Sequence, residues 1–467
     1  MKNFFAIDLF AGCGGISEGF TNAGFDVIAE VEMNKFACET LSTRHFFHEL
    51  QKNKRLDLYK QYIQGLKTRE DLFREFPDLQ DIISHRVIQA TLSDETIQTT
   101  IKRIEASKKY HNASKIHVFL GGPPCQPYSI INRARIQKNG DTLGRNYLYK
   151  HYLELMEHFK PDVFIFENVP GLFTATADGN RIFEKLMNDF LSLRPAYEII
   201  PPLYKVSKNP HSYLLNSVNF GIPQNRKRLI LIGYRKNLIR KNKLMKEIFL
   251  NLQKMGNNPN NLQITVQEAI NDLPHLHPGE GNNGFYSNKY SAKRDLSPYQ
   301  EKMRRDSFGV FNHFARAHMA SDLERYHFFI EHYKNTGHAA NLMNLIQERR
   351  DLIPEHKHLD KFVDRFKVQW WTKPASTITA HLSKDGHYFI HPDIDQCRSF
   401  TVREAARCQS FPDNFYFEGP RTEQFRQVGN AVPPLLAEVI GIAVRRELEK
   451  IYPTVNVCPN PKCKSPS

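Results

Sequence analysis

Cys125 lies in Gly121-Gly122-Pro123-Pro124-Cys125-Gln126-Pro127-Tyr128-Ser129, directly after the apolar run Ile116–Leu120. Its three prolines fix φ and hold the thiol in a stiff loop. A cysteine kept for packing belongs inside a helix or strand, whereas this one is expected at the end of a strand, where sheet ligands gather. Its chemistry is that of a nucleophile. A thiol with a pKa of ~8.5 is only a few per cent ionised near neutrality, so the site has to lower that pKa or take the proton during attack. Two further groups fall at matching places. The apolar run Val163–Phe166 stops abruptly at Glu167-Asn168-Val169 and delivers a carboxylate; alone, this reads equally well as an acid at a helix start. Gln224-Asn225-Arg226-Lys227-Arg228 precedes the run Leu229–Ile232 and alone is a candidate phosphate-binding patch. The convergence of thiol, carboxylate and arginines on one edge is what points to a reaction.

A fourth element sits near the start. Asp8-Leu9-Phe10-Ala11-Gly12-Cys13-Gly14-Gly15 joins the apolar run Phe4–Ile7 to a helical stretch, Ile16 to Ala23, that stops at Gly24. Glycines at 12, 14 and 15 let backbone approach a ligand closely, and helix amides point into the same space. The turn lacks a P-loop lysine and does not match Gly-x-Gly-x-x-Gly. Glu32, after the strand Asp26–Val31, lies where an acid accepts from ribose hydroxyls. An adenosine-containing cofactor without a pyrophosphate fits these features, with S-adenosylmethionine the leading candidate; a tight turn followed by a surface acid is the plain alternative.

Strand-like runs at 4–7, 26–31, 116–120, 163–166 and 229–232 alternate with helical stretches such as Leu148–Phe159 and Arg181–Leu193. This order predicts an α/β fold with a doubly wound parallel sheet. Residues 43–115 are charged and helical in character, as in Gln51 to Phe76, and are expected as an insertion on the outside of the sheet. The alternation is lost over 236–397, where a second, smaller domain is expected. Helices are expected at Thr401 to Gln409 and Leu435 to Leu448, in a segment 398–452 returning to the first domain, 1–235. Residues 453–467 have the composition of a disordered tail.

The 467 residues are 40% hydrophobic and carry a net charge of +14, which favours a polyanionic partner without proving one. Seven cysteines make a disulfide framework improbable and reduced thiols the default. No leader precedes the first apolar run and no run approaches the ~18–20 apolar residues of a membrane span, so an intracellular, membrane-free protein is expected. Cys458 and Cys463 lack a second cysteine pair, so no metal site is expected.

These blocks resemble the cytosine-5 DNA methyltransferase family, over nearly all of the chain outside 43–115 and 236–370. The carriers are Asp8–Gly15, Gly122–Ser129, Glu167–Val169 and Gln224–Arg228, followed by Arg398-Ser399-Phe400-Thr401-Val402-Arg403-Glu404-Ala405-Ala406-Arg407 with Cys408-Gln409-Ser410-Phe411-Pro412. Gln427-Val428-Gly429-Asn430-Ala431-Val432-Pro433-Pro434 closes the series. The six blocks stand in the family's order. The resemblance implies a Rossmann-like S-adenosylmethionine-dependent domain with a target-recognition domain at 236–397. It implies that Cys125 adds to carbon 6 of a cytosine flipped out of duplex DNA, that Glu167 serves ring nitrogen 3, that Arg228 holds the base's carbonyl oxygen, and that Arg226 supports the same pocket.

For the cofactor, the resemblance implies contacts from Phe10, Ala11, Gly12, Cys13, Gly14 and Gly15, with Glu32 on the ribose and Met33 on the adenine. Leu148, Asn430, Ala431 and Val432 complete the set. Two departures stand out. Met33 replaces a frequent aromatic, and Gln89 in Val87-Ile88-Gln89-Ala90-Thr91 occupies the place of a usual acid. By analogy with bacterial restriction-modification methylases, the expected context is a monomer acting on the bacterial nucleoid in the cytoplasm, with a cognate endonuclease that forms no stable complex with it. The rivals are a tRNA cytosine methyltransferase on the same scaffold and a catalytically silent DNA-binding regulator. Amino-group methyltransferases fit poorly, since they carry Asp/Asn-Pro-Pro-Tyr in place of Pro-Pro-Cys. The recognised sequence cannot be read from the chain.

Overall fold

A computed structural model describes residues 3–124, 148–177, 180–202, 210–238, 263–287, 289–291, 295–355 and 363–453. Cys125, Cys458 and Cys463 lie outside the described residues. The central sheet uses β1 (Phe4–Leu9), β2 (Phe25–Glu32), β3 (Val87–Gln89), β4 (Val118–Gly121), β5 (Val163–Asn168), β6 (Tyr197–Ile200), β7 (Leu214–Asn216) and β8 (Lys227–Arg235). Their order is β3-β2-β1-β4-β5-β8-β6, with β7 also paired to β8.

Strands β1 to β5 are parallel to their neighbours. Strand β8 runs antiparallel to β5, β6 and β7, so the all-parallel sheet expected from the sequence is interrupted at one place. An apolar run has no direction in it, which is why Leu229–Ile232 reads as a strand but not as a reversed one.

Both faces of the sheet are covered, and the strands show it residue by residue. Phe5, Ile7 and Leu9 join Phe119, Phe164, Phe166, Leu229 and Leu231 in one core with Ile101, Ile104, Tyr152 and Phe190. The alternate residues Phe4, Ala6, Val118, Leu120, Ile165, Ile230 and Ile232 join a second core with Phe20, Leu436, Ile440 and Val444. Burial on both sides explains the continuous apolar runs. Each such side chain contributes about 1.5–3 kcal/mol when fully buried. The stretch Arg421–Ile451 is apolar and long enough to cross a membrane by composition, contrary to the expectation that no run approaches this, but 72% of its apolar window is buried inside the fold.

Residues 43–115 hold the helices Leu56–Ile63, Arg69–Glu75, Asp78–Arg86 and Ile97–Tyr110, and within them the edge strand β3. The segment begins inside the helix Lys35–Lys52. Val266, Ile270, Tyr299, Met303 and Val310 share an apolar cluster with Phe400, Ala405, Phe411 and Val428. Arg398, Arg403 and Arg407 are each 0% exposed and stitch the segments together. Arg407 binds Asp272 at 3.0 Å and Asp413 at 2.6 Å, and Arg403 donates to Phe311 and Phe415 carbonyls at 3.0 and 2.7 Å.

Candidate active site

Beyond β1 the chain reverses through Phe10, Gly12 and Gly14, with φ of 58°, 57° and 88°. The Gly14 amide donates to the Ala11 carbonyl at 2.9 Å and the Ala11 amide to Val31 at 3.1 Å, so the loop leans on the end of β2. There Glu32 accepts from the Gly12 amide at 2.9 Å through one oxygen and from the Asn34 amide at 2.7 Å through the other. Met33 beside it is 61% exposed, an unusual position for a flexible thioether unless something covers it. Gln89 faces Glu32 across the β2–β3 register and is exposed.

The helix Gly15–Asn22 then begins against a second segment. A Cβ on Gly15 would stand 2.3 Å from the Val432 carbonyl oxygen, so only glycine admits this contact. It brings Asn430, Ala431 and Val432 to the glycine turn. Cys13 is 1% exposed, its thiol is driven well above the usual range by burial, and its sulfur lies 3.6 Å from the Gln427 carbonyl. It packs; it is no thiolate. Beneath the loop, Asp8 is 0% exposed and accepts from Ser17 Oγ at 2.7 Å. Burial, with Glu30 and Glu32 nearby, raises its carboxyl to about 8. Its Oδ1 has no hydrogen-bond partner among the described residues.

At the neighbouring strand ends, Arg228 Nε lies 2.9 Å from Glu167 Oε1. Burial raises the Glu167 carboxyl while Arg228 and then Arg226 pull it down, and burial prevails. A Cβ on Gly122 would fall 2.7 Å from Glu167 Oε2, and Asn168 Nδ2 donates to the Pro123 carbonyl at 3.2 Å. The start of the Pro-Pro-Cys loop is therefore fastened beside the carboxylate. Leu148 opens the helix Leu148–Phe159, whose Tyr152 ring would stand 2.7 Å from a Cβ on Gly121.

Arg226 faces elsewhere than Arg228. It is 0% exposed and donates to the carbonyls of Ile378 at 2.5 Å, Gly429 at 3.1 Å and Ala431 at 2.9 Å. Its hold is on the Asn430–Val432 turn. The sequence reading also passed over Asn34, which accepts from the Ala37 amide at 3.0 Å as the cap of the helix Lys35–Lys52. An asparagine directly before a helix is a recognisable capping signal. Gln409 and Ser410 offered no such signal.

Taken together, a glycine cradle, an acid fixed at its rim and an exposed methionine fit an adenosine-type group. The sequence profile of C-5 cytosine-specific DNA methylases matches residues 4–77 and 86–446. The chain is 39% identical over 455 residues to the type II methyltransferase M.Bpa9945I of Bacillus paralicheniformis, covering 94% of this chain and 98% of that one. It is 27% identical to the type II methyltransferase M.DdeI of Desulfomicrobium norvegicum, covering 95% and 89% respectively. Its fold matches a putative prophage-encoded DNA modification methyltransferase of E. coli with a TM-score of 0.59 at 22% identity, covering 96% of this chain and 99% of that one.

Proposed function

Because this chain belongs to the C-5 cytosine-specific DNA methylase family, we propose that it methylates carbon 5 of one cytosine within a specific duplex DNA sequence. Its context is a type II restriction-modification system, as the names of its relatives suggest, in which it acts as a monomer without stable attachment to the endonuclease. The observation that carries the site assignment is the Glu167–Arg228 pair at 2.9 Å beside Gly122, three residues before Cys125 in the loop. The position of Cys125 itself rests on the family resemblance.

S-adenosylmethionine, held by Phe10–Gly15, Glu32, Met33, Leu148 and Asn430–Val432, would supply an electrophilic methyl group. Glu32 would accept from the ribose hydroxyls with the lone pairs its two backbone amides leave free, and Met33 would cover the adenine. The target base leaves the duplex to enter the pocket. The Cys125 thiolate then adds to carbon 6, and the carbon 5–carbon 6 π pair moves towards ring nitrogen 3, which takes the proton of Glu167. Arg228 binds the base's carbonyl oxygen and keeps Glu167 oriented. Carbon 5, made nucleophilic, would take the methyl as the donor's S–CH3 bond breaks with its pair left on sulfur, and nitrogen 3 would return its proton to Glu167. A base removes the carbon 5 proton, the double bond re-forms and the thiolate leaves. Cys13 is too deeply buried for that role. Residues 236–397 carry target recognition, with base-edge contacts in the major groove; 43–115 is an insertion, and 398–452 completes the cofactor site.

The test is transfer of labelled methyl from S-adenosylmethionine to duplex DNA and to tRNA, with bisulfite sequencing of the DNA product. We expect label at cytosines of one DNA sequence and none in tRNA. Label in tRNA alone, or in neither with cofactor binding intact, overturns the proposal. Cys125→Ala should lose all transfer while retaining DNA binding; residual turnover would rule out this thiol.

A further inference from the structure

The block Cys408-Gln409-Ser410 has no part in the steps above, yet its polar side chains are spent on the proposed cofactor turn. Gln409 and Ser410 are 0% and 1% exposed, and Ser410 adopts a φ of 63°, an unfavourable conformation for a residue with a Cβ. Gln409 Oε1 accepts from Gln224 Nε2 at 2.8 Å. Its Nε2 donates to the Val428 carbonyl at 2.8 Å and the Ala431 carbonyl at 3.3 Å. Ser410 Oγ accepts from the Leu435 amide at 3.1 Å. Two adjacent residues thus grip the turn before and after Asn430-Ala431-Val432.

The Ala431 carbonyl also accepts from Arg226 at 2.9 Å, and Gln224 and Arg226 precede Arg228 on the chain that enters β8. Across the turn, the Val432 carbonyl presses on Gly15. A shift of the turn by a few tenths of an ångström would either collide with the glycine loop or open the cradle. The side-chain amide is the adjustable part of that fit, and it is tied to the strand that carries the base-pocket arginine.

We propose that Gln409 is a positioning residue for the cofactor, setting the Asn430–Val432 turn against the glycine loop. This rests on the reading of that turn as part of the S-adenosylmethionine site. The experiment is calorimetric titration of the full chain with S-adenosylhomocysteine, a non-reactive product, in unsubstituted, Gln409→Glu and Gln409→Met forms. Glutamate keeps the acceptor for Gln224 and loses the donor to Val428 and Ala431; methionine keeps the length and loses both.

We expect Kd to rise about tenfold or more in each variant, as loss of a buried hydrogen bond implies. Duplex DNA affinity should stay within about twofold, and KM for S-adenosylmethionine should rise by more than kcat falls. An unchanged Kd with a lowered Tm makes Gln409 a packing residue and overturns the proposal. Hydrogen exchange on the unsubstituted protein decides independently of whether the variants fold. The product should slow exchange across 428–432, and no change there overturns the inference. Failure of the unsubstituted protein to bind the product removes the cofactor reading itself, a result distinct from tight binding that the variants leave untouched.

Discussion

Arg228 holds Glu167 by an ion pair, Nε to Oε1 at 2.9 Å, and yet the carboxyl is raised, because burial outweighs the arginine. An acid that is both oriented by a cation and reluctant to ionise is suited to lending a proton to a ring nitrogen. An exposed pair of the same geometry would hold its carboxylate ionised.

The pH dependence of transfer follows. The proton-bearing form of Glu167 is lost as pH rises through its folded pKa, which lies above the usual carboxylate value, so kcat should fall on that limb. Glu167→Gln should lower kcat by about 10²–10⁴-fold, the usual size of a general acid–base contribution, and the limb should disappear. Single-turnover assays across pH measure both; an unchanged limb in the variant would assign it to another group.

Two glycine substitutions should separate binding from chemistry. Gly15→Ala drives a methyl to 2.3 Å from the Val432 carbonyl, a collision with backbone costing about 1–3 kcal/mol. It should weaken S-adenosylhomocysteine binding roughly tenfold or more. Gly122→Ala meets Glu167 first, its carboxylate at 2.7 Å and its carbonyl oxygen at 3.5 Å. It should leave that affinity unaltered and reduce kcat. Equal effects on both parameters in both variants would contradict the assignment.

Arg407 is buried between Asp272 and Asp413. Arg407→Leu removes the cation between them, leaving Asp272 to Arg304 at 2.6 Å and Asp413 to Arg403 at 3.9 Å, and should cost about 3 kcal/mol. Urea denaturation followed by circular dichroism reads this directly, and a loss below about 1 kcal/mol would mean the carboxylates find other partners.

Acid should draw on buried histidines before the ion-paired carboxylates titrate. Burial holds His313 at about 4 and His391 at about 3, against an ordinary 6.5. Arg398 also pulls both down and Glu404 pushes both up. Below pH 6.5 the unfolded chain binds protons that the folded one refuses, so stability declines as pH falls from 6.5 towards 4. Above 6.5 both states are neutral at these sites and the slope vanishes. Glu404, held below the carboxylate range mainly by Arg398 against burial, adds its loss at lower pH still. His391→Gln should show a shallower slope of urea midpoint against pH between 6.5 and 4; an identical slope would exclude this histidine.

The sheet was largely legible because strands buried on both faces spell out their position, as Phe4–Ile7 and Val163–Phe166 do. Glu167 and Arg228 each stood out because one follows and the other precedes such a run, but it is the antiparallel course of β8 against β5, invisible in the sequence, that brings the end of one strand to the start of the other. Strand β3 was not visible, since Val87–Gln89 is too short to show a period among charged helices. The division of labour between Arg226 and Arg228 was also hidden. Alternate residues on an extended chain point to opposite sides, but what Arg226 meets on its side is decided by Ile378, Gly429 and Ala431, far along the sequence. Gln409 lies in a block that carries the resemblance, but its hold on Val428 and Ala431 was hidden, because a buried amide and a surface amide are spelled alike.

Cys13 meets Gln427 across 414 positions of sequence, and Gly15 meets Val432 in the same place. The two walls of one cradle are thus made at opposite times during synthesis. A chain carrying the finished glycine turn therefore lacks the wall on its far side until Val432 has been made.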